Sequence, residues 1–125
     1  MTRGCYQLIL QLSKPTMLQV GRRGRFLFPA GRYIYTGSAL NGVERRLARH
    51  RRQNKTLHWH IDYLLRYARI VRTRIFSTSE KIECPLNRKA LAKPGAQVIV
   101  EGFGSSDCRC PSHLVFLGRA SQRNA

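Results

Sequence analysis

The sequence predicts an α+β fold, with helices packed on a small mixed or antiparallel β-sheet. Three observations carry that prediction. Residues 5–12 alternate in polarity with a period of two, residues 41–53 hold an apolar stripe at helical spacing, and glycine and proline divide most of the chain into short segments. At 125 residues the chain reads as one domain, expected over 1–117, with a flexible tail over 118–125.

The elements follow in order. Tyr6, Leu8, Leu10 and Leu12 alternate with Cys5, Gln7, Ile9 and Gln11, which predicts a strand half-buried on its Tyr6 face. Lys14-Pro15-Thr16 ends it. Met17–Val20 and Arg25–Phe28 are short strand candidates around Gly21-Arg22-Arg23-Gly24, and Arg32–Thr36 is a fourth strand after Pro29-Ala30-Gly31. From about Asn41 to Gln53 a helix is expected, with Leu40, Val43 and Leu47 on its apolar stripe. Arg46 and His50 fall on the rim of that stripe, and Arg45, Arg49 and Arg52 face further out. Thr56 is the expected N-cap of a second helix whose core face is Leu57, Ile61, Leu64 and Leu65. Ile70–Phe76 reads as a strand. A third helix is expected from Cys84 or Pro85, with Glu83 at its mouth, because proline suits the first helical position. Gln97–Val100 and His113–Leu117 are the last strand candidates.

Charge narrows the function. The chain carries 23 Lys and Arg against 6 Asp and Glu, a formal net of +17, so its surface calls for a polyanionic partner. Arginine dominates, which suits bidentate grip on phosphate oxygens. An acidic protein partner or a merely solvated basic face is the plainer alternative. Membrane binding is not expected, since no long apolar run and no basic amphipathic helix with an aromatic face is present. Gln7 and Gln11 interrupt the apolar run near the N-terminus, so no signal peptide is expected and a cytoplasmic location is. In that reducing compartment the cysteines are expected as thiols or metal ligands, not disulfides.

Two motifs then stand out. Gly4-Cys5-Tyr6 and Tyr35-Thr36-Gly37 bracket the first third of the chain, and Arg46 and His50 follow at i,i+4 spacing. This pattern resembles the GIY-YIG nuclease superfamily. Within it, Gly31 to Ala39, Arg46 to His50, His58 to Tyr63, Glu83-Cys84 and Gly102 to Cys110 are similar to the small Uri-type proteins. The segment between the two tyrosine motifs is longer than the short hairpin of the simplest family members and reads as an inserted β-segment.

The resemblance implies a divalent-metal-dependent nuclease acting on DNA in preference to RNA, leaving 5′-phosphate and 3′-hydroxyl ends. Tyr6 would accept a proton from water or orient it, Tyr35 would share that role or bind the scissile phosphate, Arg46 would hold transition-state charge, and His50 would relay a proton or bind the same phosphate. Glu83 would hold one Mg²⁺ or Mn²⁺. A free tyrosine is a poor base at neutral pH, so cations favouring the phenolate are expected nearby. Arg45, Arg49 and Arg52 are the expected nucleic-acid contacts, with Arg45 also a rival for the role of Arg46. Glu80 is the nearest competitor of Glu83. A non-catalytic nucleic-acid-binding module of the same fold is the alternative function.

Other groups remain. In a helix His58 and Asp62 share a face while His60 points elsewhere, so a joint metal site is not expected. A His58–Asp62 hydrogen bond or a packed histidine is the favoured reading. The resemblance suggests that His58, His60 and Asp107 support the active site. Cys84, Cys108, Cys110 and His113 make a candidate Cys3His zinc set, but Cys-x-Cys is tighter than the usual Cys-x2-4-Cys. Ordinary thiols are therefore the preferred reading of these cysteines.

Overall fold

The computed structural model describes residues 2–39, 41–78, 80, 82–105 and 108–118. It is an α+β arrangement of β1 (Gly4–Leu12), β2 (Thr16–Val20), β3 (Gly24–Phe28), β4 (Gly31–Ala39), α1 (Val43–Arg51), α2 (His60–Leu64), β5 (Arg69–Ser77), α3 (Glu83–Leu91) and β6 (Leu114–Gly118). The main sheet has four strands in the order β5-β1-β4-β6, and every neighbouring pair is antiparallel. β2 and β3 pair with each other in a separate two-stranded sheet, which is the inserted β-segment between the tyrosine motifs.

β1 is not half-buried. Gly4 to Leu10 are buried at every position, because β1 is an inner strand covered on both faces. Tyr6, Leu8, Leu10 and Leu12 pack with Leu18, Phe28, Val43, Leu47, Ile61 and Leu64 on one face. Ile9 packs with Ile34, Ala90, Val115 and Leu117 on the other, under α3. Gln7, which made the pattern look half-polar, is buried there and donates through Nε2 to Thr36 Oγ1 at 3.2 Å. Each fully buried leucine contributes about 1.5–3 kcal/mol of apolar transfer free energy.

Several boundaries differ from the sequence-based expectation. α1 is shorter than Asn41–Gln53, because Gly42 has φ 132° and Arg52 turns extended. Thr56 does not cap α2, which begins at His60; the backbone N–H groups of His58 and Trp59 donate instead to Asp62 Oδ2, at 2.8 and 2.9 Å. α3 opens at Glu83, so Pro85 falls in its first turn, where a missing N–H removes no helical bond. Gln97–Val100 forms no strand, only a single antiparallel bridge between Gln97 and Phe116. The last strand runs to Gly118, and the expected tail from 119 onward lies outside the described residues. No helix among the described residues is long and apolar enough to cross a membrane.

Candidate active site and metal centre

The two glycine–tyrosine motifs are cross-strand partners. In the β1–β4 register Tyr6 lies opposite Gly37, and Tyr35 opposite Leu8, so both tyrosines project from the same face of the sheet. A Cβ on Gly37 would sit 2.5 Å from Tyr6 Cζ and Oη, so only glycine lets the phenol cross the neighbouring strand. Gly4 has the same logic on the other side, where a Cβ would collide with the Phe76 carbonyl of β5.

α1 brings its functional residues onto those tyrosines. Val43, Leu47 and His50 are its buried positions, and His50 Nε2 lies 2.7 Å from the Tyr6 hydroxyl. His50 is thus inside the core, 1% exposed, and not on the helix rim. The Tyr35 ring stands 6.4 Å from Tyr6 and 6.2 Å from His50. Arg46 donates from Nη1 to the Ser38 carbonyl at 3.0 Å, and its guanidinium also reaches the Tyr6 hydroxyl.

Burial governs the protonation here. It pushes Tyr6 up to about 12 against the opposing charge of Arg46, and it holds Tyr35 well above the usual phenol value, helped by Tyr6. It lowers His50 to about 3, with Lys55 the next largest cause. Arg46 favours the phenolate at both tyrosines, as expected of a neighbouring cation, but burial outweighs it. Tyr6 and His50 are a neutral hydrogen-bonded pair. His50 Nδ1 is buried with no partner.

The arginine row divides into two kinds. Arg45 and Arg52 are exposed, whereas Arg49 grips Asp62 with Nη1 at 2.8 Å and Nη2 at 2.9 Å, and also donates to the Thr56 carbonyl at 3.1 Å. A carboxylate as buried as Asp62 needs such a partner. Burial alone would raise the Asp62 pKa, but Arg49 and the N–H groups of Trp59 and His58 bring it below the usual carboxylate value. The expected His58–Asp62 bond is thus made by the His58 backbone, while its ring lies 5.4 Å from Trp59 and is exposed. His60 Nδ1 accepts the Gly104 N–H at 2.8 Å, which anchors the loop beside Tyr35.

Trp59 was missed in the sequence. Its ring carries the Arg46 guanidinium at 4.4 Å and that of Arg49 at 4.2 Å, and His50 at 5.9 Å between ring centres. A lone tryptophan between two histidines was the available signal. Arg45, Arg46, Arg49, Arg52 and Trp59 line a groove of about 300 Å³.

Among the described carboxylates, Glu44 accepts the Thr2 N–H at 2.8 Å together with its hydroxyl, and Asp62 belongs to Arg49. Glu101 lines a different groove with Arg22, Arg23 and His60. Glu80 is exposed. Glu83, half-buried at the first position of α3, is the carboxylate whose charge, with that of Asp62, is felt at both Tyr6 and Tyr35. One carboxylate completed by water and substrate oxygens is an ordinary magnesium arrangement, so Glu83 fits that role. Asp107 lies outside the described residues.

A second cluster adjoins the first. Cys84, Cys108, Cys110 and His113 place one ligand atom each within 4.8 Å of one another and could hold a metal ion. The preference for ordinary thiols came from the Cys-x-Cys spacing alone, whereas the fold supplies the other two donors from α3 and from the residue before β6. Without a metal, burial and then hydrogen bonding with Cys110 and Cys108 push the Cys84 thiol up to about 12. Cys5 is buried elsewhere in β1.

Fold and site together define a strongly basic α+β domain with a buried tyrosine–histidine pair below an arginine groove and a metal-capable Cys3His group beside it. The chain belongs to the family described as domain of unknown function DUF123, which matches residues 5–125. No curated protein and no solved structure matches it.

Proposed function

We propose that the protein is a metal-dependent nuclease of the GIY-YIG type that hydrolyses DNA phosphodiester bonds, leaving 5′-phosphate and 3′-hydroxyl ends. The observation that carries this reading is the 2.7 Å bond between Tyr6 and His50, with Arg46 serving both that pair and the arginine groove. The groove would take the phosphate backbone through Arg45, Arg52 and Arg46, with Arg49 held back as a brace.

A neutral pair changes the expected chemistry. Tyr6 would accept the proton of the attacking water as its own proton passes to His50 Nε2, so no free phenolate is needed. That direction requires the His50 tautomer with its proton on Nδ1. Arg46 would hold the charge developing on the phosphorane oxygens. Glu83 would hold one Mg²⁺ or Mn²⁺, which when bound supplies charge for the phosphate and the leaving 3′-oxygen.

Burial favours a second reading. With Tyr6 and His50 each only 1% exposed, a non-catalytic nucleic-acid-binding module of the same fold explains the basic groove without any water reaching the pair. Labelled single-stranded, duplex and flapped DNA, incubated with the protein in Mg²⁺, Mn²⁺ or EDTA, separates the two. Metal-dependent cleavage is expected. Tight binding with no cut strand under any condition leaves only the binding module.

A further inference from the structure

We propose that Cys84, Cys108, Cys110 and His113 hold one Zn²⁺ tetrahedrally, and that this ion clasps α3 to the segment leading into β6, which His113 ties to Thr36 beside Tyr35. The inference rests on donor geometry and stands apart from the nuclease reading.

Distances come first. His113 Nε2 lies 3.8 Å from Cys84 Sγ and 3.3 Å from Cys108 Sγ, and all four donors fall within 4.8 Å of one another. A tetrahedral zinc, with sulfur at about 2.3 Å and nitrogen at about 2.0 Å, has donor–donor edges of roughly 3.5–3.8 Å. The group is thus close to the size the ion requires.

The histidine is already oriented as a ligand. His113 Nδ1 lies 3.1 Å from the Thr36 carbonyl oxygen, which can only accept, so Nδ1 carries the proton and Nε2 turns its lone pair to the sulfurs. Metal-bound histidines are ordinarily held by such a bond from the other ring nitrogen.

Donor type selects the metal. Three thiols and one imidazole suit zinc and are foreign to Mg²⁺, Mn²⁺ and Ca²⁺, which take oxygen. Four protein donors leave no open position, which marks a structural site. Three thiolates and Zn²⁺ sum to −1, a charge that a chain of net +17 accommodates readily.

The clasp lies where the candidate active site is assembled. Cys84 follows Glu83 directly, and the Thr36 carbonyl that orients His113 follows Tyr35. One turn along α3, Asn87 Nδ2 donates to the Ser112 carbonyl at 2.6 Å, and the Thr36 N–H donates to the His113 carbonyl at 3.0 Å. Zinc would close the same junction from the N-terminal end of α3.

Metal analysis tests this without a cleavage assay, so a failed zinc site and a failed nuclease reading remain separate results. The full chain, expressed with zinc and purified under reducing, chelator-free conditions, should hold about one zinc per molecule. Stripped protein titrated with Co²⁺ should develop thiolate-to-cobalt charge-transfer bands that saturate at about one equivalent and disappear on adding Zn²⁺. Cys84→Ser and Cys108→Ser should lower zinc retention by roughly tenfold or more, while Cys5→Ser keeps it. If the serine variants fail to fold, the cobalt titration of the stripped wild-type chain decides alone. Purified protein with less than about a tenth of an equivalent of zinc and no cobalt–thiolate bands would overturn the proposal. So would an intramolecular disulfide among these cysteines under the same reducing conditions.

Discussion

Two polar clusters meet on β4, one residue apart, and they are held in opposite ways. At Tyr35, the pair of Tyr6 and His50 shares a hydrogen bond and burial keeps both neutral, although His50 Nδ1 has no partner. At Thr36 three thiols and an imidazole converge, with His113 Nε2 at 3.8 Å from Cys84 Sγ and 3.3 Å from Cys108 Sγ and with His113 Nδ1 bonded to the Thr36 carbonyl. The first cluster is held together without a ligand. The second could hold a metal ion. Three thiols and an imidazole are a donor set that suits a metal ion, whereas a phenol and a neutral imidazole are held together by their own hydrogen bond.

Glu83 tests this difference most sharply, because it adjoins a proposed zinc ligand while its charge is felt at both tyrosines of the other cluster. Glu83→Gln should abolish Mg²⁺- or Mn²⁺-supported cleavage, hold DNA as well as or slightly better than the wild-type chain, and leave the zinc content unchanged. The comparison breaks if zinc is lost along with cleavage, since the two clusters would then be one site. Wild-type cleavage in this variant, with loss in Glu80→Gln, would move the cation to Glu80.

The next largest effect is on stability. Asp62→Ala removes the carboxylate that holds Arg49 and the N–H groups of His58 and Trp59, leaving Arg49 facing the Asp62 vacancy. Breaking a buried pair on one side costs on the order of 3–5 kcal/mol, readable as a fall in the urea unfolding free energy. A loss under about 1 kcal/mol would show that Arg49 is free to grip phosphate after all.

Arg46→Ala should cost about 3 kcal/mol in transition-state stabilisation, roughly a hundredfold in cleavage, with folding retained. Arg45→Ala, on the exposed side of α1, should mainly weaken DNA binding. The reverse ranking would move the catalytic arginine one residue along α1.

These tests follow a site whose parts were unequally legible in the sequence. The glycine–tyrosine motifs were, because Gly37 exists for Tyr6 and the two are strand partners, a relation that spacing and turn residues encode. The depth of His50 was hidden by its polarity, although Val43, Leu47 and His50 at i, i+4 and i+7 already fall on one helical face. The Arg49–Asp62 brace needed α2 to start late, which turned on where two backbone N–H groups found their acceptor. The thiol cluster joins α3 to the end of a long loop, and spacing within one segment carries no information about a donor brought in by another. Gln97–Val100 has a strand's composition but pairs only through Gln97.

The smallest predicted effect concerns the pH dependence of the buried pair. His50 sits at about 3 in the folded chain, through burial and then Lys55, against about 6.5 for an unfolded histidine. Between those values the unfolded chain binds a proton that the folded chain refuses. Stability is therefore unaffected by His50 above roughly pH 6.5 and falls as acid is added, by at most about 1.4 kcal/mol per pH unit. His50→Gln keeps a hydrogen-bonding partner for Tyr6 and removes the titration. Urea unfolding of both chains, stepped from about pH 7.5 to about pH 5, should give a shallower slope for the variant; lower pH would bring in carboxylates such as Asp62. His60 is shifted downward too, by burial and by Arg23, so His60→Gln serves as the control and should remove a smaller part of the slope. Parallel lines for wild type and His50→Gln would mean that His50 takes up protons in the folded chain, and the neutral relay between Tyr6 and His50 would fall with that result.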